Sequence, residues 1–399
     1  MKIIIQKFGG TSVSTEDRRN QVVAKVKNAI EKGYQPVVVV SAMGRKGEPY
    51  ATDSLLSLVD KNFKKNNLQA TDMLMCCGEI ISSVMISNVF INAGIDSTPL
   101  TGGQAGIITD ENFSKAKVIK TKIENILRIL EENKVPVITG FQGISEEGYF
   151  TTLGRGGSDT SACLLGVALK AEYIEIYTDV DGMMTADPRI VTKASLINNI
   201  SYNEVFQLAD QGAKVIHPLA VRCARDGKVP IVIKNTMSDS EGTFINELGD
   251  KSNRLISGIT YLNNRVQVTL KLKDNLDNNN YRFILDKLAK NKVSLDLINI
   301  FPKEQIFTID AYEKEKTEVL LKTLNINYTF IENCSTIAIV GIGMTGIPGI
   351  MAKIVNTLSE NNIEILQTAD SKMTIWCLVN SININKALNS LHETFNLNE

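Results

Sequence analysis

The stretch Ile3-Ile4-Ile5-Gln6-Lys7-Phe8-Gly9-Gly10-Thr11-Ser12-Val13 opens on three β-branched residues, passes into two glycines and leads to a helical pattern near Glu16. A short apolar run closed by glycine reads as a buried strand and a tight turn. The arrangement recurs down the first 245 residues. Val37–Val40 precedes Ser41-Ala42-Met43-Gly44, and Val135–Ile138 precedes Thr139-Gly140-Phe141-Gln142-Gly143. Ile174–Tyr177 precedes Thr178-Asp179-Val180-Asp181-Gly182, and Val229–Ile233 precedes Lys234-Asn235. Such runs alternating with amphipathic helical stretches predict a largely parallel sheet covered by helices on both faces. Ligands of these sheets bind beyond the carboxyl ends of the strands, so the small, polar and charged residues after each run are where chemistry is expected.

The chain has 399 residues, more than one domain at roughly 150 residues each. Its 43 Lys and Arg against 44 Asp and Glu leave a net charge of -1, which gives no whole-chain attraction for nucleic acid or an anionic membrane. No apolar run approaches the roughly 18 residues of a membrane span, and Met1–Phe8 is too short for a signal peptide's hydrophobic region. The expectation is a soluble, cytoplasmic protein. Six cysteines without Cys-x-x-Cys spacing, and only His217 and His392 as histidines, disfavour zinc sites, thiol redox chemistry and histidine triads.

Four constellations carry candidate chemistry. In the first, the glycines let backbone N–H groups approach an anion and Lys7 adds a full charge; no Gly-x4-Gly-Lys-Ser/Thr string occurs. In the second, Thr151–Ala162, Arg155 sits among Gly154, Gly156 and Gly157, free to make a bidentate pair with a carboxylate, while Ser158 and Asp159 stand where a helix is capped. The third, Tyr177–Arg189, concentrates three carboxylates and an arginine but lacks the bidentate Glu of a calcium loop. In the fourth, Gly212–Pro218, Lys214 can reach a phosphate, and His217 before Pro218 reads as a capping or structural residue.

Together KFGGTSV, the Val37–Gly44 segment, Gly78-Glu79, Gly140-Phe141-Gln142-Gly143, TTLGRGGSDTSA, YTDVDGMMTADPR and GAKVIHP resemble the aspartate kinases of the amino-acid kinase superfamily, in order and over essentially the whole chain. The resemblance implies a three-layer αβα, carbamate-kinase-like domain over 1–245, followed by two ferredoxin-like ACT domains, 255–330 and 331–399. It implies ATP-dependent phosphorylation of the β-carboxylate of L-aspartate, the first step towards lysine, threonine, methionine and diaminopimelate. By matching motifs, Lys7 bridges γ-phosphate and attacking carboxylate, Gly9 and Gly10 donate N–H groups, and Asp159 organises the cations. Arg155 clamps the substrate α-carboxylate, with Ser41, Thr52, Glu79 and Ser158 around the rest of the amino acid and Glu79 on its ammonium. Thr178, Asp179, Met184, Arg189 and Lys214 fall where the family holds nucleotide, Met184 replacing a common aromatic. Mg²⁺ is expected to ride on phosphate oxygens, with no metal ligand assigned to the chain. An ionised carboxylate nucleophile needs no general base, which agrees with the scarcity of histidine.

Loop-rich segments at Ser238–Thr243 and 247–253 mark the boundary between domains. Beyond it the chain repeats without gaps, Val293 over Ile363 and Leu288 over Leu358, an offset of 70 (363 − 293); each copy reads as a strand, a helix and two strands. Thr336–Gly346 fits the Gly-x-Gly-x-x-Gly dinucleotide fingerprint, with Glu364 as a ribose acid, yet the other copy has no glycines there and an amino-acid-binding ACT loop explains both better. Met344, Thr345, Gly346, Ile347 and Gln367 are the candidate effector contacts, for lysine, threonine or diaminopimelate, in a homodimer or higher homo-oligomer. In the first copy Asn278 and Asn279 replace Pro348 and Gly349. The stretch SAMGRKGEPYATDSLL resembles the diaminopimelate-sensitive isoform of spore-forming bacteria. Other readings are a sibling kinase for glutamate, N-acetylglutamate or uridylate, a non-catalytic ACT-type amino-acid sensor, and a dinucleotide oxidoreductase.

Overall fold

The computed structural model describes residues 1–250, 254–271, 279–342, 344 and 347–398. The chain forms two compact units. The first comprises Met1–Met183, Leu196–Asp210 and the described part of Lys214–Asn253; the second comprises Met184–Ser195, Gln211–Ala213 and the described part of Arg254–Glu399.

The first unit is built on an eight-stranded sheet whose middle strand is Ile3–Phe8. Gln35–Val40 pairs with it in parallel on one side, Ile3 opposite Gln35, and Ile174–Thr178 on the other, Ile5 opposite Ile174. Val135–Thr139 and Ile231–Asn235 extend the parallel set outwards. Five adjacent parallel strands therefore deliver Phe8, Val40, Thr139, Thr178 and Asn235 to the same edge. The crossovers reverse direction at the middle strand, the place where such sheets open a crevice.

Strand alternation sends successive side chains to opposite faces. Phe8 stacks on Tyr177 with ring centroids 4.7 Å apart, in a core with Val22 and Val26 of the helix Glu16–Glu31 and Ile86 and Phe90 of the helix Leu68–Asn92. On the other face the helix Gly157–Ala168 rests against the sheet at Gly166, where a Cβ would come within 2.7 Å of Ile174 and 3.3 Å of Ile5. Helix, sheet, helix is the predicted three-layer arrangement. A four-stranded sheet, Val118–Thr121, Ile107–Thr109, Gln142–Ser145 and Phe150–Thr152, lies beside it in sequence.

One expectation fails here. The helix Leu68–Asn92 is long and apolar enough, by length and composition, to cross a membrane. Its serines, cysteines and asparagines break up any visibly apolar run, yet the mean stays high. Asp72 and Glu79 on this helix are both buried within the domain.

In the second unit the 70-residue offset is structural: the helices Asn279–Lys290 and Ile350–Glu360, and the strands Glu304–Asp310 and Thr374–Asn380, correspond. Each copy also ends in a helix absent from the sequence reading, Lys314–Thr323 and Ile384–Thr394. All pairings in this six-stranded sheet are antiparallel. A dinucleotide fold needs parallel strands, which disposes of the oxidoreductase reading. One segment crosses between the copies: Gly258–Leu262, ahead of the first copy, pairs with Thr336–Val340 of the second, whereas Arg265–Lys271 pairs with Asn327–Cys334 and with Glu304–Asp310 of its own copy. Consequently Ile256 and Ile259 sit in the core with Ile337 and Ile339, and Tyr328 and Phe330 pack on the core of Val266, Val268 and Leu270.

Candidate active site

Lys7 is the last but one residue of the middle strand and is largely buried. Its Nζ lies 2.6 Å from Asp159 Oδ1. The other oxygen of Asp159 accepts the His217 backbone N–H at 3.3 Å. Asp159 stands in the first turn of its helix, whose N-cap is Gly156 without a side-chain cap. The expected capping role of Ser158 and Asp159 is thus not adopted: the helix starts one residue earlier, and the Asp159 carboxylate turns to the cation instead. His217 does cap, its Nδ1 accepting the Leu219 N–H at 3.3 Å, and burial lowers its pKa.

The glycine turn is drawn in closely. A Cβ on Gly10 would stand 2.4 Å from the Ala42 carbonyl oxygen, and Gly44 N–H donates to Gly10 O at 3.0 Å. Gly9 N–H is donated to Tyr177 O at 3.2 Å, so it is not available to an anion, correcting the expectation that both glycines donate; among the described residues nothing accepts the Gly10 N–H. Ser12, in the single turn Gly10–Val13, accepts a hydrogen bond from Thr236 Oγ1 at 2.6 Å, and Thr236 N–H donates to Thr178 O. Three strand ends are tied together in this way.

Glu79 is 3% exposed. One oxygen accepts the Ala42 N–H at 3.1 Å, beside Ser41, and the other is buried without a partner. Burial pushes its pKa up to about 8. A carboxyl buried with one bare oxygen stays protonated unless a cation is brought to it. Arg155 is exposed between Gly154 and Gly156, both at positive φ, and no described residue pairs with it. Ser158 packs at Gly140, where a Cβ would fall 2.8 Å from its own. Thr52 begins the helix Thr52–Leu56, held close to Leu68–Asn92 at Gly78, where a Cβ would meet Leu55 at 3.2 Å.

A prediction follows for Gly156. Its φ of 68° and a Cβ position 2.1 Å from the His217 ring mean that Gly156→Ala adds left-handed strain to a steric overlap. A loss of about 2 kcal/mol is expected, read as a lower thermal midpoint that His217→Ala in the same chain partly restores.

The amino acid kinase family model matches residues 2–235, more than half of the chain, and an ACT domain model matches 329–393. Aspartokinase 1 of Bacillus subtilis (strain 168) is 43% identical over 405 residues, covering 100% of both chains. The chain belongs to the aspartokinases of the amino acid kinase family. Aspartokinase of Geobacillus stearothermophilus is 35% identical, with 100% of this chain and 98% of that one covered. Among solved structures, E. coli aspartokinase III in complex with aspartate and ADP superposes with a TM-score of 0.79 at 23% identity, covering 98% of this chain and 99% of that one. Clostridium acetobutylicum aspartate kinase gives 0.80 at 24%, covering 99% and 100%. These two establish a shared fold.

The remaining candidates of this aspartokinase fall in different places. Asp179 pairs with Arg45 at 2.5 Å and with its neighbour Thr178, and Lys214 is exposed. Arg45 is a contact that the sequence reading missed. Met184 and Arg189 belong to the second unit, because Ala186 and Val191 between and after them enter the core of Ile256, Ile259 and Ile337. Arg189 grips Asp187 through Nε and Nη2 at 2.9 and 2.7 Å and holds that carboxylate below its ordinary pKa. Met344 is buried in the same core, so its side chain is packing rather than an open ligand contact. Ile347 is 38% exposed. Gln367 bonds Leu297 O and Asn299 Oδ1 and accepts from Gln267 Nε2 at 3.1 Å. Thr345, Gly346 and Asn278 lie outside the described residues.

Proposed function

We propose that the chain transfers the γ-phosphoryl group of ATP to the β-carboxylate of L-aspartate, forming 4-phospho-L-aspartate. The observation that carries this reading is the buried, half-partnered Glu79 carboxylate in the same domain as an unpaired Arg155 and the Lys7–Asp159 pair. Each charge of aspartate then meets its opposite: ammonium at Glu79, α-carboxylate at Arg155, reacting carboxylate and phosphoryl oxygens at Lys7. Ser41, Thr52 and Ser158 complete the amino-acid side; Gly10, Thr178, Asp179 and Lys214 of the same unit serve the nucleotide. Phosphoryl transfer asks for alignment and cationic stabilisation rather than covalent help. Asp159 fixes the Lys7 ammonium. A Mg²⁺ carried in on the phosphate oxygens of ATP would neutralise their charge. The test is hydroxylamine trapping of the acyl phosphate with Mg·ATP and aspartate, beside glutamate and N-acetylglutamate. Hydroxamate from aspartate alone is expected; none from folded protein leaves the amino-acid sensor.

For the regulatory unit, we infer binding of an amino-acid effector, lysine, threonine or diaminopimelate, between copies of a homodimer in the cytoplasm. Four of the six cysteines are buried free thiols, in keeping with a reducing compartment. The sheet edge Asp296–Ile300 exposes Ile298, Ile300 and, next to it, Phe301, an apolar edge suited to a second copy of the same strand. Ile300→Lys is expected to shift light-scattering mass from dimer to monomer and to abolish the response to effector. An unchanged mass would place the contact elsewhere.

A further inference from the structure

The helix Leu68–Asn92 carries a second buried acid besides Glu79. Asp72 is 0% exposed and is held by four neutral donors in two matching forks. Its Oδ2 accepts the backbone N–H groups of Ser114 and Thr152, both at 2.8 Å. Its Oδ1 accepts their hydroxyls, at 3.1 and 3.0 Å. Seven residues are close to two helical turns, so Asp72 and Glu79 project from one face roughly 10 Å apart along the axis. Cys76 lies between them on that face, its carbonyl accepting Gln142 Nε2 at 3.1 Å.

The two residues that Asp72 grips are the roots of the Arg155 turn. Thr152 ends its strand, its carbonyl accepting the Ala116 N–H at 2.9 Å, and Leu153 N–H then donates to Phe141 O. Gly154 follows at φ 76°, so close to the other root that a Cβ would stand 3.3 Å from Ser114 O. Arg155 is next. Ser114 itself has φ 69°, a conformation that costs a non-glycine residue and persists where neighbours impose it. One rigid helix thus sets the Glu79 carboxylate directly and the base of the Arg155 turn through Asp72.

We propose that Asp72 is a positioning residue that fixes the separation of the Arg155 guanidinium from the Glu79 carboxylate, and so selects a substrate whose ammonium and carboxylate stand on one carbon. This rests on the reading that those two groups hold the substrate's α-carboxylate and ammonium. Asp72 touches no reacting atom; it acts through Thr152 and Ser114.

The test is steady-state kinetics of full-length Asp72→Ala and Asp72→Asn beside Glu79→Ala and Arg155→Ala. Asp72→Ala is expected to raise KM for aspartate roughly 10- to 100-fold, as displaced positioning groups do, with kcat and KM for ATP within about threefold of the parent. Asparagine can accept both N–H groups on its oxygen and give its two hydrogens to the hydroxyls, so Asp72→Asn is expected to restore KM. Mere loss of folded protein would lower apparent kcat and leave KM alone. Should Asp72→Ala not fold, Thr152→Val and Ser114→Ala, each removing one hydroxyl donor, are expected to raise aspartate KM selectively by a few fold. Unchanged KM in the Asp72 and fork variants, with raised KM in Glu79→Ala and Arg155→Ala, overturns the proposal alone. An Asp72→Asn variant as impaired as Asp72→Ala also overturns it, since charge and not geometry would then be at work. Unchanged aspartate KM in Glu79→Ala and Arg155→Ala overturns the underlying assignment of the substrate contacts.

Discussion

Lys7→Ala is expected to lower kcat by roughly 10²- to 10³-fold, the loss seen when a donor to the transition state is removed. Lys7 projects from the middle strand of the parallel sheet, where the backbone is fixed by partners on both sides. Its ammonium is held 2.6 Å from Asp159 and largely out of water, so little reorganisation is needed when negative charge spreads over the transferring phosphoryl group. Folding should survive. The carboxylate left behind keeps its bond from His217 N–H, and the cost is about 1–3 kcal/mol for the lost partner. The measurement is the hydroxylamine-coupled rate at saturating ATP and aspartate, with circular dichroism as the control for folding. A folded variant with near-parental kcat would show that Lys7 serves another purpose. Asp159→Asn is the companion: it keeps the fold of the helix start and frees the ammonium to wander, so a smaller drop in kcat is expected.

How far the sequence reached depended on whether a property was local. The Ile3–Phe8 and Val37–Val40 runs declare buried strands through β-branched composition alone, and the 70-residue repeat aligns helix on helix and strand on strand. Lys7, Arg155 and Asp159 could be singled out because the motifs around them are dense in glycine and charge, whereas Glu79, in an apolar stretch, is legible only through the family resemblance of Gly78-Glu79. What failed was long-range. Gly9 lends its N–H to Tyr177, on a strand some 170 residues further on, and nothing near Gly9 announces that partner. Met184–Ser195 packs with the second unit because Ala186 and Val191 fill gaps beside Ile337, a matter of shape between distant segments. Asp72 was passed over entirely. Its surroundings in sequence are an ordinary helix, and its four donors arrive from a loop and a strand end about 40 and 80 residues away. The one available signal was its spacing of seven from Glu79, which places two acids on a face that an apolar helix should bury.

Glu79→Gln should separate function from stability in opposite directions. In the free enzyme burial holds the Glu79 carboxyl at a pKa of about 8, against an ordinary 4.5. An ammonium binds the ionised form, so kcat/KM for aspartate is expected to rise about tenfold per pH unit from pH 6 until it levels near 8, while kcat, which reports the complex already formed, lacks that limb. Glutamine keeps the shape and the bond from Ala42 N–H but offers no charge. Its kcat/KM should be roughly 10²- to 10³-fold lower above pH 8, as expected when one partner of a desolvated charge pair is lost, and flat with pH. The two profiles therefore converge towards acid, where the wild-type carboxyl is itself protonated. Stability has the reverse sign. An acid whose folded pKa lies above its unfolded value binds more protons in the folded state, so folding weakens as pH rises from the ordinary value through 8. Glu79→Gln removes that penalty and should melt higher than the parent at neutral and alkaline pH, with the difference vanishing towards pH 4. A thermal midpoint that falls on substitution, or an aspartate kcat/KM that ignores pH between about 6 and 8, would show that Glu79 is a satisfied structural acid and that the ammonium is bound elsewhere.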